Sequence, residues 1–174
     1  MSATTKPNLR VIFRPYLDTD QRTILDLNAE SVAVLSPLDE YRFQALAQMS
    51  DMLQVADVDG QTIGFIMAFA DNRAYDSINY RWFAARLKNF LYIDRVVLSP
   101  LFRRHGLGTL FYQQAQAFAQ ARGLSWLAVE VDIKPPNLAS LEFHKKQGFM
   151  EIGCQGVGSG KIVSLQIKPL DNEK

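Results

Sequence analysis

Between Arg103 and Gly108 the chain reads Arg-Arg-His-Gly-Leu-Gly, and a run with helical spacing, TLFYQQAQAFAQA, follows at once. The first backbone N–H groups of a helix have no internal partner, and aligned peptide dipoles leave partial positive charge there. Glycines let an anion approach those groups closely, and arginine adds a planar fork matched to phosphate. Arg103, Arg104, His105, Gly106, Leu107, Gly108 and Thr109 therefore have the parts of a phosphate cradle. A plain turn with surface arginines is the alternative reading.

Two common phosphate motifs fit poorly. The dinucleotide fingerprint needs a third glycine where this chain has Phe111, and it must follow its strand directly. The nucleotide P-loop needs G-x-x-x-x-G-K-[ST], which is absent from the sequence. With only His105 and His144, a histidine-based metal site lacks its usual ligand cluster, so no metal is expected. Cys154 reads as a strand residue, with no base nominated beside it for nucleophilic work.

The elements that position the loop can be read from periodicity. Residues 9–17 suggest a strand. Residues 21–35 suggest a helix with Ile24, Leu27 and Ser31 on one face, broadened by Leu25, Val32 and Leu35. Pro37 stops that helix, and residues 39–53 suggest a second, with Phe43, Leu46, Ala47 and Met49 inward. Asp59-Gly60 is a two-residue hairpin signal between β-type runs. Residues 71–89 form a less regular, aromatic-rich stretch, with a short helix after Asn79. FLYIDRVVL (90–98) is the most β-prone segment, and the cradle and a helix to about Ala121 follow. Residues 125–132 are a strand and 137–147 a helix stopped by Gly148. Two final strands, 149–155 and 161–169, pair across a glycine-rich turn. The order predicts a mixed α/β (α+β) domain on one sheet, with a right-handed parallel crossover from strand 90–98 to strand 125–132.

The 174 residues suffice for one domain, expected over 1–174. Nineteen basic and eighteen acidic side chains leave a formal charge of +1, which argues against a general nucleic-acid or membrane-surface binder. The local cationic cluster then points to a small anion. One cysteine suits a reducing compartment, and the amino-terminal residues lack an apolar signal core, so a cytoplasmic location is expected.

The loop satisfies R/Q-x-x-G-x-G/A and thus resembles the signature of the GNAT superfamily of acyl-CoA-dependent N-acetyltransferases. The hydrophobic strand ending Val97-Leu98-Ser99-Pro100 resembles the family's approach to that loop. Downstream, Asn137, Ser140, Phe143, His144, Lys146, Gly148 and Phe149 fall at the spacing of the family's N-x-x-A-x-x-L-Y-x-K-x-G-F pattern. The resemblance is close over about residues 90–150 and by element order elsewhere.

It implies a central mixed sheet of about seven strands, helices on both faces and a splayed strand pair that admits the pantetheine arm of acetyl-CoA. The backbone of Val96, Val97 and Leu98 would bind that arm, the cradle the pyrophosphate, and Asn137, Ser140 and Lys146 further parts of the cofactor. The reaction implied is direct attack of a neutral amine on the thioester, with a base for the ammonium and an acid for the thiolate. The family's acid is a tyrosine where this chain has His144. Imidazolium could take the role; otherwise His144 packs or faces solvent and water supplies the proton. Among carboxylates Asp94 ranks first, on the same strand face as Tyr92 and Val96, and Glu30 second, with Glu130 on the next strand. Asn28, Glu30, Tyr75, Tyr80 and Trp82 are candidate acceptor contacts, although Trp82 and Phe83 also suit an anchoring role. A non-catalytic CoA-binding regulator is the alternative function. The acceptor amine and the choice between monomer and homodimer stay open.

Overall fold

The computed structural model describes residues 10–31 and 35–171. Among them, seven strands form one sheet in the order β1-β2-β3-β4-β5-β7-β6. β1 (Val11–Pro15) pairs antiparallel with β2 (Met52–Val58), which forms a hairpin with β3 (Gln61–Ala70). Asp59 and Gly60 take positive φ, +52° and +83°, the twist a two-residue hairpin turn requires. β3 pairs antiparallel with β4 (Phe90–Leu98), and β4 alone makes a parallel pairing, with β5 (Trp126–Lys134). The last two strands, β6 (Met150–Gly156) and β7 (Ile162–Pro169), reverse their places: β7 inserts beside β5 and leaves β6 at the edge.

Helices cover both faces. α1 (Gln21–Glu30), α2 (Glu40–Met49) and α3 (Ile78–Ala84) pack over one buried cluster, through Ile24, Phe43, Leu46, Tyr80 and Phe83. α4 (Leu107–Ala121) and α5 (Leu138–Lys146) cover the other, through Leu107, Phe111, Ala115, Leu141 and Phe143. The two clusters bury the alternating faces of the same strands, which is how one sheet supports two layers of helices.

Two expectations change here. The helix expected over 39–53 ends at Met49; Ser50 turns extended, and Met52 and Leu53 open β2 opposite Ala68 and Met67. Their apolar side chains satisfy a helical stripe equally well, but the open edge of β3 offers a hydrogen-bond ladder that a further helical turn would forgo. The helix expected over 21–35 ends at Glu30; Val32 lies outside the described residues.

Candidate active site

β4 and β5 pair only over Phe90–Tyr92 and Trp126–Ala128, then separate while each strand continues for six more residues. This opens a cavity of about 850 Å³ lined from β4 by Val96, Val97 and Leu98 and from β5 by Val129, Glu130 and Val131. The backbone edges facing the gap lack their neighbouring strand, so an extended arm bearing amides would find a ladder there.

The mouth of the gap is the arginine-glycine loop. Gly106 caps α4 in the left-handed conformation, φ +75°, with nothing within 4 Å of an added Cβ. The first helical hydrogen bond runs from the Leu110 N–H to the Gly106 carbonyl, so the amides of Leu107, Gly108 and Thr109 precede the helical ladder. Arg103 and Gly108 line the cavity, Arg104 and His105 are exposed beside it, and the Leu107 side chain is buried in the core below. The Thr109 hydroxyl accepts from Gln147. Asn137 caps α5 by accepting from the Ser140 N–H at 3.1 Å, and both line the cavity. Lys146 does not: it pairs at 3.0 Å with Glu142 on the solvated face of α5. The open strand edges, free amides and flexible glycine cap fit a diphosphate carrying an extended arm.

A bulge sets the chemistry of β4. Met67 pairs with Arg95 and Ala68 with Ile93, so Asp94 is the extra residue. The bulge advances the strand by one phase. Tyr92 faces the cluster under α1–α3, whereas Val96 faces the one under α4 and α5, correcting the expectation that Asp94 shares a face with both. Asp94 accepts from the Tyr75 hydroxyl at 2.8 Å and from Arg95 Nε at 3.1 Å. Burial makes its carboxyl a weaker acid than an ordinary aspartate, pushing its pKa up, and Arg95 and Tyr75 oppose that shift. Arg95 in turn donates to Asn28 Oδ1 at 2.7 Å and to the Ser36 carbonyl at 2.8 Å.

Glu130, one strand away, is differently placed. Its Oε2 is buried and has no hydrogen-bond partner among the described residues, and the same holds for the Tyr92 hydroxyl. Burial, with the nearby Asp94 charge, pushes the Glu130 carboxyl up to about 7, while the polar groups of Tyr92 and Asn79 partly offset this. Strand alternation marked Glu130 as a candidate; only the free oxygen and the splay separate it from Asp94, both of whose oxygens are engaged.

His144 lies 6% exposed on the cavity wall. Its Nδ1 is 2.7 Å from the Ser140 carbonyl and its Nε2 is 2.7 Å from the Tyr112 hydroxyl. Burial lowers its basicity, and the Ser140 carbonyl opposes this.

The structure does not bring every candidate to the cavity. Glu30 is exposed at the end of α1, outside the lining. Asn28 is buried behind the wall, bound to Arg95 and the Ser36 carbonyl. Tyr80 is 1% exposed and uses its hydroxyl internally, donating to the Ala70 carbonyl and accepting from the Arg73 N–H. Trp82 lies against Gly153 of β6 under the Arg86 guanidinium, which anchors α3 to the sheet edge. Of the aromatic candidates only Tyr75 reaches the cavity; Arg42, which is paired with Asp76, lies 5.7 Å from its ring centre.

Residues 21–149 match the model of the acetyltransferase (GNAT) family. This chain belongs to that family. GNAT acetyltransferases use acetyl-CoA, and the splayed strands with the α4 amides have the form such a co-substrate requires. Solved structures with the same fold include Ard1 of Thermoplasma volcanium, 14% identical over 92% of this chain and 97% of that one, with a TM-score of 0.73. They also include yncA of Salmonella typhimurium, solved with its cofactor acetyl-CoA, at 18% identity, 95% and 96% coverage and a TM-score of 0.72. A third is the ribosomal-protein-alanine N-acetyltransferase of Brucella melitensis, at 20% identity, 91% and 99% coverage and a TM-score of 0.70. No curated protein matches the chain by sequence. No helix among the described residues is long and apolar enough to cross a membrane.

Proposed function

We propose that this acetyltransferase acts on a primary amine that arrives as its ammonium ion, with Glu130 as the base. The observation that carries the reading is the buried, unpartnered Glu130 Oε2 in the gap between β4 and β5. A carboxyl titrating near 7 can hold a proton taken from an ammonium and release it to solvent at neutral pH. Asp94 then orients Tyr75 and neutralises Arg95, and Glu30 has no part in the chemistry.

Acetyl-CoA supplies the acyl group as a thioester. Val96, Val97 and Leu98 would hold its arm through their backbone, and the amides of Leu107, Gly108 and Thr109 its diphosphate with help from Arg103. Asn137 and Ser140 line the same side of the cavity. Tyr75 and the loop at Ser36 and Pro37 wall the opposite, acceptor side. We also read the protein as one catalytic domain over residues 1–174, working in the cytoplasm without nucleic acid or membrane, as its near-neutral charge and single cysteine support.

The test is thiol release from acetyl-CoA against a panel of amines, amino acids and peptides, comparing the parent with Glu130→Gln. Amine-dependent release that falls on substitution supports the reading. CoA binding without release on any amine would instead make the protein a CoA-binding regulator.

A further inference from the structure

The residue at the family's acid position rests as a neutral imidazole in the arrangement seen here, and becomes a cation only while it holds a second proton. The Ser140 carbonyl can only accept a hydrogen bond, so Nδ1 of His144 carries the hydrogen at that 2.7 Å contact. A neutral imidazole has one ring hydrogen, so Nε2 is the acceptor and the Tyr112 hydroxyl donates to it. Phe143, Phe149 and Tyr112 pack edge-on around the ring with centroids 5.2–5.3 Å away, a poorly polar box that disfavours the cation. The charged and titratable neighbours are few. Tyr112 from α4 and Ser140 from α5 touch the ring, and Glu130 from β5 acts on Tyr112 through its charge. Tyr112 and His144 both line the cavity between β4 and β5.

We propose that Tyr112 is a second catalytic residue, whose hydroxyl and the His144 imidazole form a relay carrying a proton from the amine nitrogen to the departing sulfur. This rests on the acetyltransfer reading above. After Glu130 has taken the first proton, C–N bond formation leaves a second proton on nitrogen that must go. That proton passes to the Tyr112 oxygen as the Tyr112 hydrogen moves to Nε2 of His144. When the C–S bond breaks and its electron pair stays on sulfur, the Nε2 hydrogen returns to the Tyr112 oxygen and the Tyr112 hydrogen passes to sulfur. The nitrogen loses one proton, the sulfur gains one, and both side chains end as they began. Nitrogen and sulfur are bonded to the same carbonyl carbon during the exchange, so one hydroxyl can serve both. The fixed Nδ1 hydrogen on Ser140 leaves Nε2 as the only site that can load and unload.

The thiol titration uses bound CoA and needs no acceptor; the turnover readings use an amine found active in the panel above. The thiol of CoA bound to the parent is titrated by its far-ultraviolet thiolate absorbance, and again in Tyr112→Phe, His144→Phe and the double variant, with thermal unfolding as a folding check. In the parent the relay lets the thiol proton reach Nε2, so the bound thiol ionises at least about tenfold more readily than in either variant. The double variant loses no more than each single one, because the pair acts as a unit. Tyr112→Phe combined with His144→Tyr returns a single hydroxyl to the family's position and recovers turnover. Ring ¹⁵N shifts of the ligand-free parent show Nδ1 protonated and Nε2 bare. Unchanged thiol titration in Tyr112→Phe, additive losses, or a hydrogen on Nε2 of the resting ring would each overturn the relay. A parent that binds CoA and turns over while Tyr112→Phe equals it removes only the relay; a parent that does not bind CoA removes the site reading as well.

Discussion

Replacing Glu130 with glutamine separates its burial from its chemistry. In the folded protein the carboxyl titrates at about 7 rather than the ordinary 4.5. Near pH 4 both folded and unfolded chains hold it protonated, and it contributes nothing to the pH dependence. Between about 4.5 and 7 the folded state binds more protons than the unfolded one, so stability falls as pH rises. Above 7 the loss is complete. A displacement of this size corresponds to roughly 3 kcal/mol at about 1.4 kcal/mol per unit. Glutamine keeps the shape without the charge, so Glu130→Gln should match the parent at pH 4 and exceed its stability by up to that amount at pH 8. Denaturant unfolding at a series of pH values measures the difference. The same substitution should abolish the base, cutting kcat/KM by roughly 100-fold or more. A stability difference that stays flat from pH 4 to 8 would refute the burial argument, whatever happens to turnover.

Further outcomes follow from the loop and the sheet edge. Arg103→Ala should raise the KM for acetyl-CoA by about tenfold or less, with a smaller effect at high salt, whereas Lys146→Ala should leave it unchanged because that side chain is paired away from the cavity. Gly106→Ala places a side chain at φ +75° and should cost roughly 1–2 kcal/mol by denaturant unfolding, although there is open space for the methyl group. Gly153→Ala meets Trp82 at 2.6 Å, so an unfolding free energy lower by about 1–3 kcal/mol is expected from denaturant unfolding. Isothermal titration with CoA should find that last variant unaltered in affinity.

Local signals were enough for part of this protein. The hairpin at Asp59-Gly60, the strand 90–98, the glycine loop ahead of α4 and the stop of α5 at Gly148 were legible because each depends on residues adjacent in the chain. So was the family, whose motif residues lie within short stretches. Sequence could not place the bulge at Asp94, since it arises from how β4 registers against β3, and that one extra residue decides which face of the sheet each later β4 side chain takes. Nor could it choose among Asp94, Glu30 and Glu130: free carboxylates look alike until Arg95 and Tyr75 occupy one, solvent takes another, and the parting of β4 from β5 leaves one oxygen of the third buried without a hydrogen-bond partner among the described residues. Tyr112 had no sequence signal beyond a helical stripe. Its meaning comes from α4 and α5 crossing so that its hydroxyl meets Nε2 of His144, a contact between residues 32 positions apart. Hydrogen bonds and desolvation act through space, so only the packed chain assigns them.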